Sequence, residues 1–344
     1  MLLSVECKSA WRTSDKENQM MRKYAILVSL FVLLTTTLFA KDGDGGYAGA
    51  FLRMGMSARA KALGDAYSAI AEGAVAGFYN PALLPHLKER QLALAIAFLP
   101  LDRSLDYIGY AQSLRPKFSE DDSERPLAAG FSLAWIHAGV DNIDGRDFSG
   151  NHTADYSNDE HAFYLSFALS PAPIFSVGVS GKVLYNRLPG MTQEDKALTS
   201  TGFGIDFGLY LTPVNNLSFG LVAKDKLSKY TWNTDKVYER GTTTTYKFPQ
   251  VYRGAVAYRI PQKWLLLTAE IEDSKEQLRR YHVGAEFSYQ DAGALRIGFD
   301  ENVPTFGMGL FGDFFGVQSS INYAFLSEDS GAGSEHLFTW TFNL

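Results

Sequence analysis

Cysteine is nearly absent from this 344-residue chain; Cys7 is the single one. That excludes a disulfide-stapled scaffold and any zinc module built on several thiolates. Long apolar runs are missing too. With a mean hydropathy of −0.11, the chain is no bundle of membrane-spanning helices, each of which needs about 20 apolar residues. The formal charge is −6, without the basic excess of a nucleic-acid binder. Histidine is sparse: His86, His137, His152, His161, His282 and His336 stand singly, and none makes a pair at metal-binding spacing. The nearest approach to a catalytic set is His137 and His161 flanking one long connection, where a hydrolase would need a Ser or Asp on a neighbouring strand. The expectation is a non-enzymatic protein that uses neither cofactor nor metal.

What the chain does have is glycine (31) together with Tyr (18), Phe (24) and Trp (5). That mixture suits closely spaced strands with aromatic girdles. Near the start, Arg22-Lys23 precede an apolar run from Ala25 to Leu34 and a small-residue end at Ala40. This is the layout of a secretory signal peptide, over residues 1–40. Met21 is an alternative start, which would make residues 1–20 an upstream extension. Cleavage after Ala40 removes Cys7 and leaves a mature chain without thiols. Residues 41–89 then form a linker and an N-terminal segment, and residues 90–344 the main body.

From residue 90 onward the period is two. In 203–211, Phe203, Ile205, Phe207, Leu209 and Leu211 alternate with Gly204, Asp206, Gly208 and Tyr210. Phe163, Leu165, Phe167 and Leu169 alternate likewise with Tyr164, Ser166 and Ala168. About 14 such segments are legible, near 91–99, 103–114, 127–138, 159–170, 174–186, 200–212, 216–225, 250–260, 263–272, 280–290, 293–300, 304–312, 315–326 and 335–344. Many exceed the usual 5–6 residues of soluble strands. Bulky apolar residues on one face and small or charged ones on the other suit lipid outside and a polar lumen inside. Tight connections at 171–173, 213–215, 261–262 and 291–292 alternate with longer ones near 139–158, 187–199, 226–249 and 327–334; the stretch 115–126 departs from that pattern. The predicted fold is all-β: a transmembrane antiparallel up-and-down barrel in the cell outer membrane. Trp135, Trp264 and Trp340 read as girdle residues facing lipid.

The alternation places Lys182, Asp206, Lys224, Arg253, Arg259, Glu270, Glu286, Arg296 and Asp300 toward the lumen. Their signs are mixed, so they can pair, hydrate a permeation path or tie down material inside. Arg59 is a natural partner for Asp206 or Glu286. Bulky apolar residues on the inward face are few, Ile136 and Leu184 among them.

Residues 57–71 are rich in small residues and lack the two-residue period, reading as short helix broken at Gly64. Asn80-Pro81 biases the chain toward an extended turn. With too little bulk for its own core, this segment must pack inside the barrel. Gly55 to Pro85, through Arg59, Gly64-Asp65-Ala66-Tyr67 and Asn80-Pro81-Ala82-Leu83, resembles the N-terminal hatch of FadL-type outer-membrane barrels, and within them the PorV/PorQ group. The last residue, Leu344, departs from the terminal aromatic usual in outer-membrane barrels.

The resemblance implies a partly helical hatch in the lumen, with Arg59, Gly64, Asn80, Pro81 and Ala82 as its motif residues. It implies two functions. One is the PorV/PorQ type, associated with type IX-like protein secretion, whose partners are secretion components or exported proteins. The alternative is FadL-type, hatch-gated passage of a hydrophobic small molecule. The scarcity of inward apolar bulk favours the first. Either way the surroundings are outer-membrane lipid and, during folding, the barrel-assembly machinery, with no role for nucleic acid.

Overall fold

A computed structural model describes residues 46–70, 73–114, 127–189, 197–235, 240–290, 292–314, 316–327 and 333–344. The expected signal peptide and the connection 115–126 lie outside these residues. The barrel strands are β1 (Gln91–Leu99), β2 (Arg103–Leu114), β3 (Ala128–Arg146), β4 (His152–Ala172), β5 (Phe175–Leu188), β6 (Leu198–Val214), β7 (Leu217–Lys226), β10 (Val251–Arg259), β11 (Leu265–Ser274), β12 (Arg280–Tyr289), β13 (Gly293–Asp300), β14 (Val303–Phe314), β15 (Val317–Ser327) and β16 (Ser334–Asn343). Between β7 and β10, β8 (Lys229–Asn233) and β9 (Thr243–Lys247) form a separate hairpin.

Each barrel strand pairs antiparallel with its neighbours, and β1 closes the ring against β16 with Leu94 opposite Trp340 and Phe98 opposite His336. Closure removes every edge, so all backbone polar groups along the span can be satisfied within the wall. Leu133, Phe163, Leu165, Phe207, Leu221 and Leu295 are each about half exposed or more and point outward. At the positions between them, Ser132, Ala162, Tyr164, Asp206, Val222 and Ala294 are buried inward. Burial of the wall is therefore arranged around the lumen, and the apolar outer face is left for lipid. This is an outer-membrane β-barrel.

The start of β1 and the end of β16, where Gln91 pairs with Asn343, lie at the barrel end with the tight connections 173–174 and 215–216, the inner end by the rule for such barrels. The opposite, outer end carries longer connections such as that between β7 and β10, although β13 and β14 are joined there by Glu301-Asn302 alone. There β3 and β4 extend well past the expected 127–138 and 159–170 as a projecting hairpin. A register shift lies between Val140 and Ile143, with Asn142 at φ 54°. At its tip Asp147 accepts from the backbone N–H groups of Ser149 and Asn151, both at 2.8 Å, and Phe148 is fully exposed. Hydrogen bonds from His152 and Arg146 hold the Asp144 carboxyl below the usual carboxylate range. These residues rise beyond the apolar belt, so no lipid-facing alternation announced them.

The hairpin β8–β9 was not legible either, falling within the stretch 226–249. It folds back over the inner face of β6. A Cβ at Gly202 would lie 2.1 Å from the Lys229 carbonyl oxygen, and one at Gly204 2.1 Å from Ser228 Oγ. Only glycine lets the hairpin lie that close.

The outward assignment of β6 is testable. Phe207 sits in the middle of its apolar face, where an Arg on a barrel's lipid side costs roughly 2–4 kcal/mol. Phe207→Arg should sharply reduce the fraction of heat-modifiable, assembled barrel, while Phe207→Leu should leave it nearly unchanged. Equal assembly of the two would mean that the register of β6 is displaced by one residue.

Candidate functional site

Residues 49–70 and 73–87 run through the lumen. They comprise a short 3-10 turn (Ala50–Arg53), helix α1 (Ala58–Ala62), helix α2 (Ala76–Tyr79) and a second 3-10 turn (Pro81–His86). Leu52, Met56, Leu63, Tyr79, Leu83 and Leu84 are almost wholly buried. Full burial of such a side chain contributes about 1.5–3 kcal/mol, so this segment is held by packing along its whole length. α1 ends where Gly64 (φ 65°) and Asp65 (φ 66°) turn the chain left-handed. Asn80 is extended (φ −154°, ψ 106°) ahead of Pro81. Its side-chain oxygen accepts from the Ala82 N–H at 3.0 Å. Its amide donates to the carbonyls of Ser68 (2.8 Å) and Leu209 (3.1 Å). One side chain thus ties two parts of the segment to each other and to β6.

At the wall's glycines the segment lies directly against the wall backbone. A Cβ at Gly208 would meet Asn80 Oδ1 at 2.1 Å, one at Gly178 the Pro81 carbonyl carbon at 2.5 Å, and one at Gly220 the Ser68 carbonyl oxygen at 2.1 Å. On the far side, Cβ atoms at Gly284 and Gly298 would strike the backbone of Leu63 at 2.5 Å. The small residues of the inward face are docking positions.

The inward charges collect into four groups. Glu286 is the hub of the first. It accepts a bidentate pair from Arg59 (2.7 and 2.8 Å) and a bond from Arg296 Nε (2.7 Å), with Arg259 at 3.6 Å. Of the two partners expected for Arg59, the structure selects Glu286. Three guanidinium groups converge there on one carboxylate. In the second, Lys61 meets Asp300 at 3.0 Å, and His282 Nδ1 lies 3.0 Å from the same carboxyl. In the third, Arg253 is within 3.3 Å of Asp65 and of Glu270, and also pairs with Glu272. Glu270 receives the Tyr67 and Ser68 backbone N–H groups at 3.1 and 2.9 Å. In the fourth, Lys182 lies between Asp206 (2.8 Å) and Asp225 (2.7 Å). Beside it the Lys224 ammonium has no hydrogen-bond partner and sits 3.8 Å from the centre of the Phe78 ring, a cation–π contact with α2. Three groups therefore join N-terminal segment to wall by charge, and the fourth touches it through Phe78.

His137 and His161 face each other on β3 and β4, rings stacked at 4.9 Å, with Asp106 Oδ2 3.1 Å from His137 Nδ1. They belong to the outward face, and among the described residues no hydroxyl is hydrogen-bonded to either ring. Trp135 stacks on both, and Trp264 is exposed at the inner turn. Among the described residues no cluster of metal-ligating side chains occurs.

At the outer mouth, residues 46–50 and the β8–β9 hairpin flank an open cavity of about 260 Å³, lined by Tyr47, Glu160, Asn186, Tyr230, Trp232 and Tyr246. Gly49 (φ 74°) lies flat on Phe248, where any Cβ would overlap the ring. Phe248 in turn packs edge-on against Tyr230 at 5.0 Å. Sequence reasoning missed this cavity. The signal was present in Tyr230-Thr231-Trp232 facing Thr244-Thr245-Tyr246, two short β-prone runs in one connection. Deeper, a void of about 10 Å³ lies between Met54, Lys61, Leu326 and Leu337.

No family model matches the sequence, and no curated protein matches it. Solved structures do. The toluene transporter TbuX of Ralstonia pickettii superposes with a TM-score of 0.55 at 12% identity, covering 84% of this chain and 98% of that one. The toluene transporter TodX of Pseudomonas putida gives 0.54 at 14%, covering 84% and 97%. A Pseudomonas aeruginosa FadL homologue gives 0.51 at 9%, covering 80% and 95%. At these identities the likeness is one of fold: this chain has the architecture of FadL-like outer-membrane barrels over nearly their whole length.

Removing one partner of a buried ion pair costs about 3–5 kcal/mol. Glu286→Gln leaves three guanidinium groups without their carboxylate, and should lower the denaturant midpoint of the detergent-solubilised barrel by a corresponding amount. Gly284→Val should act differently. Strand pairing survives, while the N-terminal segment becomes cleavable by added protease in the folded barrel. An unchanged cleavage pattern would show that Leu63 does not rest on β12.

Proposed function

We propose that this barrel passes small hydrophobic molecules across the outer membrane, with residues 46–87 acting as a hatch that must shift for passage. The observation that carries this reading is a lumen filled by one segment of chain, docked through side-chain charges and glycine contacts and joined to the wall through β1. Such a segment can move while the strand ladder of the wall stays intact. The outward face, closed wall and overall architecture are those of barrels whose names describe toluene transport. No enzymatic role is proposed; those neighbours are transporters.

The secretion-associated PorV/PorQ reading rests on the resemblance of Gly55 to Pro85. Its further support was the scarcity of inward apolar side chains. That scarcity has another cause, since wall positions such as Gly208 and Gly284 are small where the hatch lies against them. Wall composition therefore does not argue against a hydrophobic cargo, and the passage reading is preferred.

Uptake of labelled toluene by Gram-negative host cells tests it. Cells expressing the barrel should take it up several-fold faster than cells with empty vector. In a Cys7→Ser background, a cysteine pair at Ala66 and Thr268, where the Thr268 hydroxyl reaches the Ala66 carbonyl at 2.9 Å, should abolish the gain when oxidised and restore it on reduction. Uptake equal to empty vector, or equal in the oxidised and reduced states, contradicts the proposal.

A further inference from the structure

At the inner end of the lumen three guanidinium groups share one carboxylate, and their arrangement gives the surplus charge a direction. Arg59 Nε and Arg296 Nε both donate to Glu286 Oε2, each at 2.7 Å. The Arg59 and Arg259 forks meet at the other oxygen, Oε1, at 2.8 and 3.6 Å. Two cationic groups, one on the hatch and one at the end of β10, therefore stand side by side at a single atom. The ladder puts Arg259, Leu266, Glu286 and Arg296 on one inward level. The neighbouring levels carry Ala257, Thr268, Gly284 and Gly298 toward the outer mouth, and Ser288 and Ala294 toward the inner end, none of them acidic. Burial separates the two signs. The Glu286 and Arg296 side chains are 3% and 0% exposed, whereas those of Arg59 and Arg259 are 15% and 26% exposed. The carboxylate is shut in, and the groups that reach solvent are the two guanidinium groups at its edge. Like charges held this close in a partly buried site are costly unless a counter-charge meets them.

We propose that a small free oxyanion, inorganic phosphate being the simplest, binds at the inner end of the lumen between Arg59 of the hatch and Arg259 of β10, and locks the hatch in its docked position. A guanidinium presents its N–H donors in a rigid fork that matches an oxyanion, and two such forks converge here. The anion cancels the repulsion between them. Because one group belongs to the hatch and the other to the wall, the anion binds the docked arrangement and not the released one, so its binding favours docking by mass action. The site lies inside the wall, which separates it from lipid headgroups; its ligand comes from solution on the inner side. The inference rests on the docking of residues 46–87 and not on what the barrel passes.

The test dialyses the full barrel, in detergent micelles at constant ionic strength, against radiolabelled inorganic phosphate. One saturable site per barrel is expected. Arg259→Gln, checked for heat-modifiability, should weaken binding by about 10–100-fold, the loss of one charge-assisted contact. Lys263→Gln removes an exposed cation from the inner turn after β10 and should change binding by no more than about twofold. Release of the hatch is read from the rate at which a small maleimide modifies Ser68→Cys, with Cys7 replaced. Phosphate at about ten times its Kd should slow that rate about tenfold, and the same concentration should leave it unchanged when Arg259→Gln is added. Absence of saturable binding in the parent barrel, or equal losses in Arg259→Gln and Lys263→Gln, overturns the site. Saturable binding with no change in labelling rate overturns the lock. Failure of toluene uptake with phosphate binding intact would remove the passage reading and leave this site standing. Uptake without phosphate binding would do the reverse.

Discussion

The N-terminal segment lies on the barrel wall with no space for a side chain between them, and most other features depend on that contact. At Gly284 and Gly298 the wall meets Leu63 backbone, and at Gly178 and Gly208 it meets the Asn80-Pro81 corner. Where the two touch, the wall cannot carry bulk, so those positions are Gly, Ala and Ser, and bulkier side chains such as Tyr107, Tyr164, Leu184 and the charged residues stand only where the segment leaves room. Those charges are then shut away from water and must be paired. Glu286 with Arg59, and Asp300 with Lys61, meet that requirement by reaching across to the segment itself, while Arg296 holds Glu286 from within the wall. Docking and neutralisation are one event: if the segment leaves, charges on both sides lose their partners.

This coupling bears on how a filled barrel can open. Breaking a buried ion pair inside a dry protein is expensive. Water that follows a departing hatch would rehydrate both partners and recover much of the cost. The polar wall is therefore compatible with a hatch that moves, whereas an apolar wall against an apolar hatch would have to expose both surfaces to water. The group around Lys182, Asp206 and Asp225 differs, since all its members belong to the wall. It stays neutralised whatever the hatch does, and only the Lys224 contact with Phe78 changes.

Much of the architecture was legible because lipid imposes a strict two-residue rule. Phe203 to Leu211 announce β6 and its outward face without ambiguity, and Asp206 falls inward by parity alone. The rule fails where lipid ends. The outer parts of β3 and β4, from Asn142 to Tyr156, face water on both sides and carry no alternation. β8 and β9 were hidden for the same reason, being short and folded inward away from lipid. The break at Gly64 and the extended Asn80 were readable from backbone chemistry, but their partners were not, since Thr305 and Leu209 come from strands more than a hundred residues away. The inward glycines were visible and their meaning was not. Read alone they suggest a wall with no taste for apolar cargo; beside Leu63 and Pro81 they are contact points.

Whether the hatch occupies the lumen in the membrane is decided most directly at Ser68, which is fully buried between β7 and β11 contacts. A single cysteine there, with Cys7 replaced, can be labelled in outer-membrane vesicles with a small maleimide and with one carrying a bulky polymer. The expected result is slow modification by the small reagent and essentially none by the large one until the barrel is denatured. Rapid modification by both in folded vesicles would place residues 46–87 outside the barrel and contradict the docking on which the rest depends.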